Sequence, residues 1–411
     1  MRGSRLGPLG LGLVGAGLAL VAAAFLAGQP DLLTPGLFLV VLPLLALAST
    51  VVLRPRLAVG RRLVPEVVQV DAPARVELDV ARTDRLGVGP LVATDEPPRA
   101  VGAGHRFLVP AAARLAPARE AYVRTPRRRG RWAMGPLRYE STDALGLAHR
   151  SSRADAPGVL VVTPRVLPLA HANSSGFGRQ GETPIPQAAV SGPDDVLVRE
   201  YQARDDMRRI HWPSTARTGT LMVRREEQAW DPTAWIVLDS RAIAHPGGRG
   251  EAIPTFEWLL TEVASVGSVL LDDGFEVSVA DASGDSFTVS ATRDQGAHTQ
   301  LLEHLVDAEL ADQGTLRLAA RTVARAPAGH LVVALLARLD EETARHLVAT
   351  HDGQQLCRAL ALPQPGATLA FAAGRSVLVD HGWSVVECPV DGDLAGAWAA
   401  SGSASGSAGW R

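Results

Sequence analysis

Trp235-Ile236-Val237-Leu238-Asp239-Ser240-Arg241-Ala242-Ile243 is a short apolar run that breaks abruptly into an acid, a hydroxyl and a cation. Such a run predicts a strand buried on both faces, as in parallel sheets. Downstream, Phe256, Leu259, Leu260 and Val263 recur with helical spacing through residues 256–271. Residues 276–280 predict a strand, with 287–290 pairing beside it, and 299–310 predict a helix. Residues 331–336 predict another strand, and 341–350 a helix opened by acids, as the helix dipole prefers. Segments 368–372, around 377, 383–388 and 394–399 continue the alternation, which predicts a doubly wound α/β domain. The Ser/Gly-rich residues 401–411 are expected to be a disordered tail.

Toward the N-terminus the pattern changes. Residues 57–169 predict a small β-sandwich. Residues 75–80 alternate charged and apolar side chains, and 66–70, 106–109, 121–125, 132–139 and 159–163 read as further short strands punctuated by Gly and Pro. Arg127-Arg128-Arg129-Gly130-Arg131 is the densest basic run. It suits either a solvated turn or a surface for anionic headgroups or an acidic partner. Residues 170–193, rich in Ser, Gly, Pro and Gln, read as a linker or surface loop.

Residues 1–56 read as two transmembrane helices, about 9–27 and 32–53, each long enough to cross a ~30 Å hydrocarbon core. Only Gln29-Pro30-Asp31 separates them, so a helical hairpin is expected. Arg2 and Arg5 precede it, and Arg54, Arg56, Arg61 and Arg62 follow, which puts both termini in the cytoplasm of a multi-pass protein of the cell membrane. A cleaved signal peptide is the rival reading. Gly15, Ala19 and Ala23 form a small-residue stripe that packs on the second helix or supports a homodimer.

The 411 residues carry 41 basic and 43 acidic side chains, a formal charge of −2 that gives no field for steering nucleic acid. Every basic side chain among Lys and Arg is arginine, which excludes a Walker A lysine and any lysine Schiff base. Two cysteines, Cys357 and Cys388, cannot make a thiolate zinc cluster.

The most distinctive block is 194–227. Arg199-Glu200-Tyr201 is followed by Asp205-Asp206, Arg208-Arg209-Ile210-His211-Trp212, Arg217 and Arg224. Arginines and acids are balanced there, which suggests a paired network rather than a phosphate patch. A second reading is a hydrolase centre built on Asp205, Asp206 and His211. The block resembles the hallmark of a bacterial family, domain of unknown function 58. So do Arg128-Arg129-Gly130-Arg131-Trp132, Gly135-Pro136-Leu137, Asp143-Ala144-Leu145-Gly146-Leu147 and the paired membrane helices. Pro213 stands where the family commonly has lysine, and the all-arginine usage resembles that of a high-GC actinobacterium.

The resemblance implies a von Willebrand factor A-like fold over residues 194–400 and a MoxR-type AAA+ ATPase as partner, with no established enzymatic activity. The expected architecture is thus multi-domain α/β plus β, and the expected role a membrane-anchored adaptor facing the cytoplasm, without cofactor. A cell-envelope structural protein is the other non-enzymatic reading. In a typical A domain the first strand ends in Asp-x-Ser-x-Ser and holds a divalent cation. Here Asp239 matches, but Arg241 and Ile243 stand at the serine positions, so the metal site Asp239-Ser240-Arg241 is expected to be degenerate, with Arg241 pairing Asp239. Thr292, Asp294 and Asp340 are the candidates for more distant ligands. His298 and His304, and His346 and His351, lack zinc spacing.

Overall fold

The computed structural model describes residues 3–84, 89–171, 198–200, 212–224, 233–246, 253–326, 330–350, 356–364 and 366–403. The chain divides into two compact units, 1–166 with 302–308 and 167–301 with 309–411.

In the first unit β1 (Gly3–Leu6) leads into α1 (Pro8–Ala27), a single 3-10 turn, and α2 (Leu33–Val52). Both helices are long and apolar enough to cross a membrane, and most of their surface is uncovered by protein. Proline at the start of α1 costs nothing because the first N–H groups lack helical partners anyway, and Gly28 ends the helix in the left-handed region at φ 63°. The small-residue stripe does not make the hairpin contact: Gly15 is exposed, with nothing within 4 Å of where a Cβ would stand. Buried instead are Gly10, Gly17 and Ala24 of α1, seven residues apart, and Gly36, Pro43, Ala46 and Thr50 of α2; Gly10 faces the Leu147 backbone, while Gly17 faces α2. A Cβ on Gly17 would stand 2.7 Å from the Gly36 carbonyl oxygen, so backbone meets backbone. A seven-residue repeat stays on one face of a helix, whereas a four-residue repeat drifts off it.

Ten strands follow: β2 (Leu57–Val64), β3 (Val67–Gln69), β4 (Ala74–Arg82), β5 (Leu91–Asp95), β6 (His105–Val109), β7 (Ala118–Arg124), β8 (Gly130–Ala133), β9 (Leu137–Thr142), β10 (Ala148–Ala154) and β11 (Val159–Thr163). They form sheets ordered β1-β10-β9-β5-β6, β2-β4-β7 and β3-β11-β8. The sheets share a core containing Val76, Leu78, Leu91, Leu137 and Leu160. The expected strand 132–139 is two strands in different sheets, broken at Gly135-Pro136. A Cβ on Gly135 would lie 2.5 Å from the Glu96 carbonyl oxygen, and the following Pro cannot donate to a ladder. The side chain of Arg61, counted above among the membrane-flanking cations, is fully buried. It pairs with Asp95 and donates to the Gly135 carbonyl at 3.0 Å, while Tyr122 Oη donates to the other Asp95 oxygen.

In the second unit β12 (Val198–Glu200) pairs antiparallel with β13 (Met222–Arg224), with α3 (Trp212–Thr218) between them in sequence. Then come β14 (Thr233–Leu238), α4 (Pro254–Asp272), β15 (Glu276–Ala280), β16 (Ser286–Ser290), α5 (Ala297–Val306), α6 (Arg317–Val323), β17 (Leu331–Leu336), α7 (Glu341–Val348), β18 (Leu356–Ala361), α8 (Thr368–Asp380), β19 (Ser384–Glu387) and α9 (Leu394–Ser403). The sheet order is β16-β15-β14-β17-β18-β19, parallel except for β16. Counted from β14 this is 3-2-1-4-5-6, a doubly wound order whose direction reverses between β14 and β17. Val237, Val332, Ala334 and Ala359 face α6, α7 and α8. On the opposite face Ile236 meets α4, and Arg358 meets Trp398 of α9. In this unit β12, α3, β13, α6 and β18 escaped the sequence reading, and α8 is one unbroken helix. Of the expected tail, Ser401 is fully buried in α9, which runs to Ser403, and residues 404–411 lie outside the described residues.

Candidate functional site

Open α/β sheets bind ligands beyond the carboxyl ends of their strands, where the winding reverses. Here that position is the end of β14, and Asp239, Ser240 and Arg241 occupy it, at most 4 % exposed. Arg241 Nε donates to Asp239 Oδ1 at 2.7 Å and Nη2 to Oδ2 at 2.9 Å, a two-point fork. Oδ2 also accepts from the Ala337 and Arg338 amides, both at 3.1 Å, just past β17. The remaining guanidinium donors reach Thr343 Oγ1 at 3.0 Å and the Arg338 carbonyl at 2.9 Å. Burial works against the Arg241 charge, but the hydrogen bonds and charge of Asp239 outweigh it and hold the guanidinium above its ordinary pKa.

The carboxylate shell is therefore filled by the chain's own donors. A hard cation requires several oxygens converging on one point. Here a cation already sits on Asp239, Ile243 offers an apolar side chain to solvent, and Ser240 Oγ points away to accept from the Ala282 amide at 3.0 Å. These residues do not fit a divalent metal. Of the more distant candidates, Asp340 is near: it caps α7 through the Thr343 amide at 2.9 Å. Burial alone would raise its pKa, yet the Thr343 hydrogen bonds and then the charges of Arg241 and Arg338 bring it below the usual carboxylate range. Thr292 and Asp294 are misplaced, because β16 runs antiparallel and delivers them to the other end of the sheet, beside Glu276 at the start of β15.

His245 completes the cluster and was not anticipated. Its Nε2–H donates to the Asp239 carbonyl at 2.7 Å, which leaves Nδ1 to accept from Thr255 at 2.9 Å. Burial lowers its pKa, so the ring stays neutral and buttresses the turn. No local pattern in the sequence marks it, since its partners are a backbone oxygen and the residue opening α4.

Of the charged block, Arg199, Glu200 and Arg224 lie in the β12–β13 ribbon, where Val198 stands opposite Arg224, Arg199 opposite Val223 and Glu200 opposite Met222. Trp212 opens α3 and is 66 % exposed. Arg217 is exposed in its last turn, and no ion pair involves it among the described residues. Gly219, at φ 76°, closes the turn with its amide on the Thr215 carbonyl, as the sequence Arg-Thr-Gly requires. Tyr201, Asp205, Asp206, Arg208, Arg209 and His211 lie outside the described residues, and with them the hydrolase cluster.

A second buried polar group lies on α4. Glu262 is 1 % exposed, with both carboxylate oxygens lacking a hydrogen-bond partner beside Trp258 and Cys388. Burial pushes its pKa up to about 8, and burial together with Glu262 pushes the Cys388 thiol up to about 12. On β18, burial brings Arg358 down to about 10; it stacks on Trp398 at 4.8 Å.

The model of a family described as a protein of unknown function, DUF58, matches residues 197–352. No curated protein matches the chain. Among solved structures, the CARDB domain of a Pyrococcus furiosus protein in complex with di-metal ions aligns at 15% identity, over 26% of this chain and 93% of that one, with a TM-score of 0.19. Cwp6 from Clostridium difficile aligns at 8% identity, over 81% and 53%, with a TM-score of 0.15. Neither likeness is deep enough to assign a fold.

Proposed function

From a chain whose residues 197–352 belong to the DUF58 family, we propose a membrane-anchored adaptor that faces the cytoplasm and works with a MoxR-type AAA+ ATPase in protein assembly. The observation that carries this reading is the Arg241–Asp239 fork. At the switch point of the sheet, where doubly wound domains hold ligands, the chain has put its own guanidinium on the acid. That arrangement rigidifies the loops around the strand ends and suits a surface that presents contacts rather than one that coordinates a reacting group. The second unit then serves as a von Willebrand A-like module whose partner binding needs no divalent ion.

Anchoring is supported by the two apolar helices. β1 precedes α1, yet pairs with β10, which follows α2, from Gly3 opposite Ser151 to Leu6 opposite Ala148. This pairing supports a hairpin with both flanks on one side, and the arginines beside it favour the cytoplasmic side.

Affinity purification of the detergent-extracted full chain, followed by mass spectrometry, tests the reading. A AAA+ ATPase enriched with the wild-type chain, in the presence of EDTA as well as Mg²⁺, is the expected result. Recovery without any ATPase, or recovery only with divalent metal, overturns it.

A further inference from the structure

The turn after β5 and the turn after β7 enclose an open groove of about 700 Å³, lined by Arg99, Gly102, Val123, Arg124, Arg127 and Arg128, with no acid on its walls. The two turns are tied by the Arg127 amide on the Ala100 carbonyl at 3.3 Å. Arg124 forms the floor. Its guanidinium stacks on Tyr122 at 4.4 Å and donates through Nη1 to the Val123 carbonyl at 3.0 Å, while its buried Nε has no partner. Gly102, at φ 147°, lets this side chain through: a Cβ there would stand 3.1 Å from Arg124 Cδ. Arg99, Arg127 and Arg128 are exposed. Nearby acids are already engaged, Glu96 with Arg138 at 2.8 Å and Asp71 with Arg165.

A second groove in the same unit shows the contrast. It measures about 570 Å³ and is lined by Arg62, Arg75, Glu77, Asp79, Arg119 and Glu120. There the charges neutralise one another, with Arg75 on Glu77 at 3.1 Å and Arg119 on Asp79 at 3.4 Å. The arginine groove concentrates one sign within one concavity, which attracts an oppositely charged partner.

Register decides which one. β2 leaves the end of α2 at Leu57 and runs to Val64, opposite Arg75 of β4, and Ala74 stands opposite Arg124 of β7. Eight residues at about 3.3 Å each put the groove about 25 Å from the end of the hairpin. Bilayer charge is screened within about 8–10 Å, so headgroup phosphates reach the groove only where β2 lies flat along the bilayer rather than rising from it. A single phosphate would also engage only one or two of the guanidinium forks in so open a groove, whereas an extended chain can meet all of them and cover Val123 between them.

We propose that this groove binds an acidic peptide segment of a soluble protein, with Arg99, Arg127 and Arg128 clamping its carboxylates. The assignment rests on the adaptor reading for its purpose, but its test does not. The full chain is placed in nanodiscs of phosphatidylcholine, and a short fluorescent peptide of alternating Glu and Val is titrated by anisotropy. Saturable binding that weakens with salt is expected. The double variant Arg127→Glu/Arg128→Glu should raise Kd at least about tenfold, and Arg119→Glu in the paired groove should leave it within about twofold. Arg99→Glu, on the opposite turn, should raise Kd as well and covers the case in which the double variant misfolds. Unchanged affinity in these groove variants overturns the proposal. So does displacement of the peptide by inorganic phosphate at matched ionic strength, or binding only when phosphatidylglycerol is present. Failure here with the ATPase still co-purifying removes the groove and leaves the adaptor.

Discussion

Asp239 and Arg241 are two residues apart in sequence, and their fork is buried at both ends. Arg241→Ala leaves a desolvated carboxylate whose remaining donors are backbone amides, and should destabilise the fold by about 3–5 kcal/mol in a thermal melt of the detergent-solubilised chain. The double change Asp239→Asn/Arg241→Met should recover part of that loss, because no buried charge is left unpaired. Mg²⁺ titrated into the wild type should give no saturable heat. A micromolar signal abolished by Asp239→Ala would show that the guanidinium yields to metal. Glu262 predicts a pH effect of definite sign. In the fold its carboxyl stays protonated up to about 8, whereas the unfolded chain ionises it above 4.5. Between those values the folded state holds the extra proton, so stability falls as pH rises, by at most about 1.4 kcal/mol per pH unit, and then levels. Glu262→Gln should flatten that dependence, and melting curves of the two proteins that stay parallel across the window would sink the assignment.

Among the elements, the hairpin depends on glycine where two backbones touch. Gly36→Leu should cost about 1–3 kcal/mol by overpacking, since Gly17 and Val21 already crowd its Cβ position. Gly15→Leu meets open space and should change nothing. Equal losses of monodisperse protein on extraction for both variants would contradict this packing. The same logic explains the split of 130–142 into β8 and β9. Large apolar side chains fall at 132 and 134 before Gly135-Pro136 and at 137 and 139 after it, so the alternation slips by one residue there, and the ladder cannot continue through a residue without an N–H. β1 was invisible for a similar reason: four residues ahead of a hydrophobic run carry no period of their own, and β10 recruits them.

For the whole molecule, the shared sheet of β1 and β10 predicts topology. A reporter active only in the cytoplasm should report at either end of the chain, and periplasmic-type activity at one end would separate flanks that the sheet holds together. By itself the sequence determined the features set by local chemistry. These are two helices apolar and long enough to cross a membrane, legible from uninterrupted apolar length; the strand–helix alternation after Trp235; and the pairing of Arg241 with Asp239 at the end of a buried strand. Only the tertiary structure decided which residues meet across distance. Arg61 left the membrane flank for a buried pair with Asp95, and His245 and Thr343 closed the shell around the fork. Thr292 and Asp294 went to the wrong end of the sheet because an antiparallel β16 reverses the direction of the chain. Of the 127–131 run, Arg127 and Arg128 joined Arg99 and Arg124 at the far end of the β2–β4–β7 ladder from Leu57, because β-ladder register, rather than distance along the chain, sets how far a turn lies from the strand's first residue.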